Sequence, residues 1–277
     1  MLLGYNTNGF AHHRLEDTLS ILADLGYQSV ALTVDYNALN PYTRDLPARC
    51  TFIRRHLERL KLRCVIETGA RFLLDPRRKH QPTLISPEAS ERERRYDFLC
   101  RCIEIAQHVN ASAVSFWSGS STDSADECVL MDRLVENCKR LCDVVCKSSL
   151  VLAFEPEPGM FIDTMARFAQ LYRQVDQPFF GLTLDIGHLH CQGETPIADH
   201  VRRWAKDLFN VHIEDMRHGV HEHLMFGDGE IDFGPVLKAL NDIGYAYEVN
   251  VELSRHSHDA VETARKAIAF LHSALRS

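Results

Sequence analysis

At 277 residues the chain exceeds the commonest domain size, yet it has the length of one eight-unit α/β barrel. Hydrophobic residues at 45% and charged residues at 25% suit a globular chain with a large core, and no stretch reaches the ~20 apolar residues of a membrane span. The net charge of -7 argues against a nucleic-acid binder, which works through clustered Lys and Arg.

The opening MLLGYNTNGF has neither the basic region nor the apolar run of a secretion signal. Nine cysteines without such a signal point to reduced thiols and a cytoplasmic location. Strands are predicted at 2–6, 28–34, 62–68, 111–117, 150–155, 179–185, 208–213 and 245–252. Helices are predicted near 14–26, 47–61, 88–109, 123–147, 163–175, 195–206, 233–243 and 257–274. Strict alternation implies a parallel sheet with crossover helices. Eight of each, with no Pro- or Gly-rich linker, predicts an α/β chain folded as a single-domain (β/α)8 TIM barrel over residues 1–277. Asp163 is placed to cap the helix beginning TMARF, and Ser257 to cap the last helix. Gly26 and Gly244 stand where a helix ends before a strand. Cys138, Cys142 and Cys146 recur every fourth residue on one helix and read as a buried stripe rather than a zinc site. Loops are expected at 69–87 and 214–232, and loops so long are usually functional or mobile.

Four strands in the second half end in residues that bind hard divalent metals: VLAFE at Glu155, GLTLD at Asp185, FNVH at His212 and VNVE at Glu252. A strand alternates its side chains between two faces. Thr183 and Asp185 therefore share a face, as do Asn210 with His212 and Asn250 with Glu252, while Leu182, Leu184, Val211, Ile213, Val249 and Val251 face the other way. In a parallel barrel such tips converge at one mouth, where barrels place their chemistry. Three carboxylates and one imidazole make an oxygen-rich site suited to Mn²⁺, Mg²⁺, Co²⁺ or Zn²⁺. No cysteine lies at a tip, which disfavours a structural thiolate site. Glu157 shares the face of Glu155, so either could be the ligand.

The stretches LVLAFEPEPG, GLTLDIGHLH, NVHIED, HLMFGDGEIDF and GYAYEVNVELS, with GYNTNG and LEDTLSILADLGYQSV near the start, resemble the xylose isomerase-like TIM barrels, in their sugar isomerase and epimerase branch. The resemblance implies one divalent ion held by Glu155, Asp185, His212 and Glu252. It implies Glu155 and Glu252 as the acid–base pair, and ketoses, polyols or related oxo-acids as substrates. The expected reaction is isomerisation or epimerisation by proton abstraction beside a metal-bound carbonyl. A dehydratase would share that first step. Metal-assisted phosphodiester cleavage is disfavoured, because strands three and four end IET and SFW, without the histidines such enzymes need there. A non-catalytic sugar-binding barrel has no physical reason to keep three converging carboxylates.

Further residues are expected around the mouth. His188, three residues past Asp185, is placed to contact substrate or a second ion. Glu67 is expected to bond substrate hydroxyls, Trp117 to stack on substrate or close the core, and Arg217 to grip a hydroxyl, phosphate or carboxylate. Glu157 reads as support for the site or a solvated carboxylate, and His190 as a loop histidine. His218, His221 and His223 crowd the second long loop, where the last two could build a further metal position. The first long loop carries Arg71, Arg77, Arg78, Lys79 and His80, either an anion-recognition loop or a solvated charge run. Barrels of this kind often pair, so a homodimer is a further expectation.

Overall fold

Both faces of the central strands are apolar or hydrogen-bonded, and both are buried. In the computed structural model, which describes residues 1–276, the sixth strand β6 (Phe180–Asp185) is buried along its whole length. Leu182 and Leu184 pack among the surrounding helices, while Thr183 and Asp185 point into a lumen. A strand buried on both sides belongs to a closed parallel sheet. Its companions are β1 (Leu2–Asn6), β2 (Ser29–Thr33), β3 (Arg63–Glu67), β4 (Ala113–Phe116), β5 (Val151–Phe154), β7 (Leu208–Ile213) and β10 (Glu248–Val251). They close in the order β1-β10-β7-β6-β5-β4-β3-β2, with every neighbouring pair parallel. Helices α1 (Leu15–Asp24), α2 (Leu46–Leu60), α3 (Ala89–Val109), α4 (Glu127–Val145), α5 (Met165–Val175), α6 (Ile186–Cys191), α7 (Ile197–Arg203), α8 (Phe233–Asp242) and α9 (Ala260–Ala274) surround the sheet. The expected (β/α)8 barrel is the observed fold.

The lumen explains how the strand tips are held. Val65, Ala113 and Ala153 fill one level. Two residues further along their strands a hydrogen-bonded layer takes over. Thr183 donates to Ser115 Oγ at 3.0 Å, Asn250 donates to Asn210 Oδ1 at 3.0 Å, and Asn210 donates to Glu67 Oε1 at 3.2 Å. Buried polar groups persist only when so paired.

Several local expectations are corrected. Thr164, not Asp163, caps α5, its hydroxyl accepting from the Arg167 amide at 3.3 Å. Ser257 opens a short 3-10 turn ahead of α9, and its hydroxyl ties Ala11 N and Asn8 O to the barrel mouth. Of the cysteine stripe, Cys138 and Cys142 are buried but Cys146 lies beyond the last turn of α4 and is exposed. Helix α7 is shorter than expected, running Ile197–Arg203 with Pro196 at its entry. Gly26 and Gly244 do follow their helices, with φ of +95° and +66°.

The 214–232 segment is not an open loop. It forms an antiparallel hairpin, β8 (Asp215–Arg217) and β9 (Val220–Leu224), turning at Gly219 with φ +72°. Asp215, only 2% exposed, braces it: Oδ1 accepts from Met216 N and Ile231 N, and Oδ2 from Gly227 N, at 2.8 to 3.1 Å. Gly229 passes so close that a Cβ there would lie 2.2 Å from Asp215 Oδ1. Removing a buried carboxylate that serves three amides costs about 3 kcal/mol or more. Asp215→Ala is therefore expected to lower the denaturant midpoint by that amount and to speed amide exchange at Gly227 and Ile231. Unchanged stability would show that the segment does not depend on this carboxylate.

Candidate metal centre

The four tips meet. Parallel register sets Asp185 beside His212, and His212 beside Asn250, so that Glu252 emerges two residues higher on the neighbouring strand. Glu155 follows β5 directly, its amide bonded to Phe116 O at 2.8 Å. His212 Nδ1 lies 3.0 Å from Glu155 Oε1, 2.9 Å from Glu252 Oε2 and 3.9 Å from Asp185 Oδ2. One ligand atom from each of the four lies within 4.8 Å of the others.

The donor set fits a divalent ion on its own chemistry. Asp185 is 1% exposed; its Oδ1 accepts from the His188 amide at 2.7 Å, while Oδ2 is buried without a hydrogen-bond partner. A buried carboxylate oxygen left so is costly unless a cation meets it. On the far side of the imidazole, His212 Nε2 lies 2.9 Å from Glu67 Oε1. A proton held there frees Nδ1 to be the ligand, the arrangement by which outer carboxylates orient metal-binding histidines.

The ionisation pattern of the protein alone follows from burial and crowding. Burial pushes the Glu155 carboxyl well above its usual range. Burial opposes the His212 cation, but Glu67, Glu155 and Glu252 outweigh it and raise the imidazole well above normal. Burial opposes ionisation of Asp185 too, yet His188, His223 and His212 hold it below its ordinary value. Glu252 is likewise held low, by His212 above all, against the effect of burial. Glu157 is pushed up to about 8, first by burial and then by Glu252 and Asp185. His188 falls to about 4 through burial and is neutral at physiological pH.

Glu155, His212 and Glu252 line a cavity of about 430 Å³. Of the residues expected around it, Glu67, Arg71, Trp117, Glu157 and His188 line this space. Glu67 has one oxygen engaged by His212 and Asn210, so it supports a ligand as well as facing the cavity. Trp117 is packed by the Arg95 guanidinium at 4.4 Å and by the edge of His80 at 5.1 Å. The basic loop divides. Arg78 is tied to Asp75 and Glu91, whereas Arg71 and Lys79 line the cavity. Arg217 is corrected: it is exposed, donates to Asp228 O at 2.9 Å and faces the 225–231 segment instead. The regular hairpin fixes that direction, which an irregular loop would have left free. His190 and His218 also stay outside, both bonded near Glu230.

His188, His221 and His223 come together, with His188 Nε2 and His221 Nε2 3.0 Å apart and the three in ligand reach of one another. Sequence reasoning missed Glu214. It is 0% exposed, both its oxygens lack a hydrogen bond, and it falls with Asp185 and His223 in a second compact group. The period of two through Asn210 and His212 would have found it. Asn8, Thr33 and Arg255 also line the cavity. Asn8 donates to Glu252 Oε1 at 2.8 Å.

A family model described as the xylose isomerase-like TIM barrel matches residues 19–274. The chain belongs to the xylose isomerase-like TIM barrel family. Within it, L-ribulose-5-phosphate 3-epimerase UlaE of Shigella flexneri serotype 5b is 21% identical over 241 residues, 86% of this chain and 81% of that protein. Inosose dehydratase of Lacticaseibacillus casei is 27% identical over 159 residues, and this chain spans about half of the dehydratase's length, 53%. The crystal structure of the IOLI protein with a binding zinc atom superposes with a TM-score of 0.80 at 16% identity, covering 99% of this chain and 98% of that one. At that identity the likeness shows the fold alone. The relatives of this xylose isomerase-like barrel thus include a sugar epimerase and a dehydratase.

Two outcomes are expected at the centre. Glu67→Gln weakens divalent-metal affinity by roughly 10- to 100-fold without unfolding the chain, as titration calorimetry would register; unchanged affinity would remove Glu67 from the support of His212. Because Glu155 and His212 hold their protons to higher pH than usual in the protein alone, binding a cation displaces protons from them. Affinity should therefore rise with pH, with proton release visible as a dependence of binding heat on buffer. Affinity independent of pH would contradict this ionisation pattern.

Proposed function

We propose that this chain is a divalent-metal-dependent isomerase or epimerase of a small hydroxy-carbonyl compound, a ketose or polyol ketone, with Glu155 and Glu252 as the acid–base pair. The observation that carries the reading is the meeting of these two glutamates with Asp185 and His212 in one buried cluster at the barrel mouth. When bound, an ion held by the four would polarise a substrate carbonyl and acidify the neighbouring C–H. Glu252, kept ionised beside His212, is suited to accept the proton. Its orientation is fixed by the Asn8 amide. Glu155, which meets the same His212 Nδ1 at 3.0 Å, is placed to return one. Trp117, backed by Arg95 and His80, offers a flat wall against one face of a sugar. The same reading takes a small sugar-like molecule, not nucleic acid, as the partner. It places the reaction in the cytoplasm, supported by nine cysteines that are all free.

A second reading has one specific support. Glu157 lines the cavity as a further carboxyl beside the quartet, placed to deliver a proton to a departing hydroxyl. That would make the enzyme a dehydratase, as one relative is named.

Incubation of manganese-loaded protein with ketoses and inososes in deuterated water separates these outcomes. Deuterium at the carbon beside the carbonyl with recovery of an isomer supports the first reading, and loss of water supports the second. Glu252→Gln is expected to lower turnover by roughly 10²- to 10⁴-fold, the usual contribution of a positioned base. Metal-loaded wild-type protein that exchanges no deuterium into any compound would contradict both.

A further inference from the structure

The segments after β1, β2 and β3 wall a second cavity, of about 560 Å³. It joins the catalytic cavity along Asn8, Thr33 and Arg71, which line both spaces. The two differ in chemistry. Carboxylates, imidazoles and amides wall the catalytic space, whereas Phe10, Ala11, Leu15, Phe72, Leu73 and Pro76 give the second an apolar wall, with His13, Asp35 and Asn37 among its polar lining. On its lining Tyr36 is 74% and Phe72 49% exposed. Large apolar side chains gathered at an open cavity mark a contact surface more often than isolated exposed ones do. Asn8 stands at the join, donating to Glu252 while its Oδ1 is buried without a partner.

A five- or six-carbon polyol finds its hydrogen-bonding groups in the catalytic space. The adjoining apolar walls would strip water from further hydroxyls without replacing it, a net loss. Apolar walls reward an apolar group. We propose that the natural substrate is a conjugate. A hydroxy-carbonyl sugar or cyclitol head occupies the catalytic cavity, and an apolar or aromatic substituent passes Asn8 and Arg71 into the second cavity. The inference rests on the isomerase reading and names the substrate class that reading leaves open.

Calorimetry on the manganese-loaded chain tests it with D-fructose and its 6-O-phenyl and 6-O-butyl ethers, which keep the open-chain ketone. The ethers are expected to bind roughly tenfold or more tightly than fructose, the gain from burying about one ring or short chain. Ala38→Trp, at a position lining only the second cavity, should abolish that gain and leave fructose binding and deuterium exchange unchanged. Phe72→Ser, at a half-exposed position, should shrink the gain and guards against misfolding of the first variant. No gain from either ether, or equal weakening of fructose and ethers by Ala38→Trp, overturns the proposal. So does a wild-type dimer that Ala38→Trp dissociates in sedimentation, since a second copy would then cover the cavity. Deuterium exchange reports separately on the reaction, so a failed substrate class and a failed isomerase reading give different results.

Discussion

Three carboxyl groups and an imidazole held with ligand atoms within 4.8 Å of one another are an unfavourable arrangement for a protein interior. Two like charges about 4 Å apart repel by roughly 4 kcal/mol even at an effective dielectric of about 20, and each also loses hydration. The crowding falls on the protons: Glu155 and His212 hold theirs more tightly than usual, while Asp185 and Glu252 give theirs up more readily. A cation in the same place would replace those protons. That the fold keeps the cluster at all is the strongest physical sign of what it is built to hold.

The barrel supplies the rigidity such a cluster needs. Its lumen is layered, with small apolar residues at one level and a hydrogen-bonded set of Ser115, Thr183, Asn210, Asn250 and Glu67 above it. These contacts cross the lumen and fix the strand ends relative to one another. Outside the sheet, leucines, valines and phenylalanines pack against helices. Loops then add chemistry on this fixed base: Asn8 after β1, Arg71 and Lys79 after β3, Glu157 after β5, and the histidines of the β8–β9 hairpin. Site geometry therefore depends on the barrel, and substrate preference on the loops.

Much of this was legible in the sequence because a period of two is a strong signal. GLTLD and VNVE write the inward and outward faces in alternating letters, and strand-end placement brings Glu155, Asp185, His212 and Glu252 to one mouth. What stayed illegible needs closure of the sheet. Glu67 meets His212 across the lumen, from strands that are not neighbours in the barrel order, and no local pattern announces that. Arg95 sits in a helix rich in arginine and glutamate, yet it alone turns inward under Trp117. Arg217 lies outside the cavity lining because 214–232 folds as a hairpin, which VHEHL, lacking the apolar alternation of a strand, does not announce. Glu214 stands one residue past the predicted strand 208–213, in phase with Asn210 and His212.

Everything turns on whether one cation sits among Glu155, Asp185, His212 and Glu252. Anomalous scattering from crystals soaked in manganese locates it directly. A single strong peak within coordination distance of all four side chains is the expected result. No peak there, or a peak held only by His188, His221 and His223, would contradict the account.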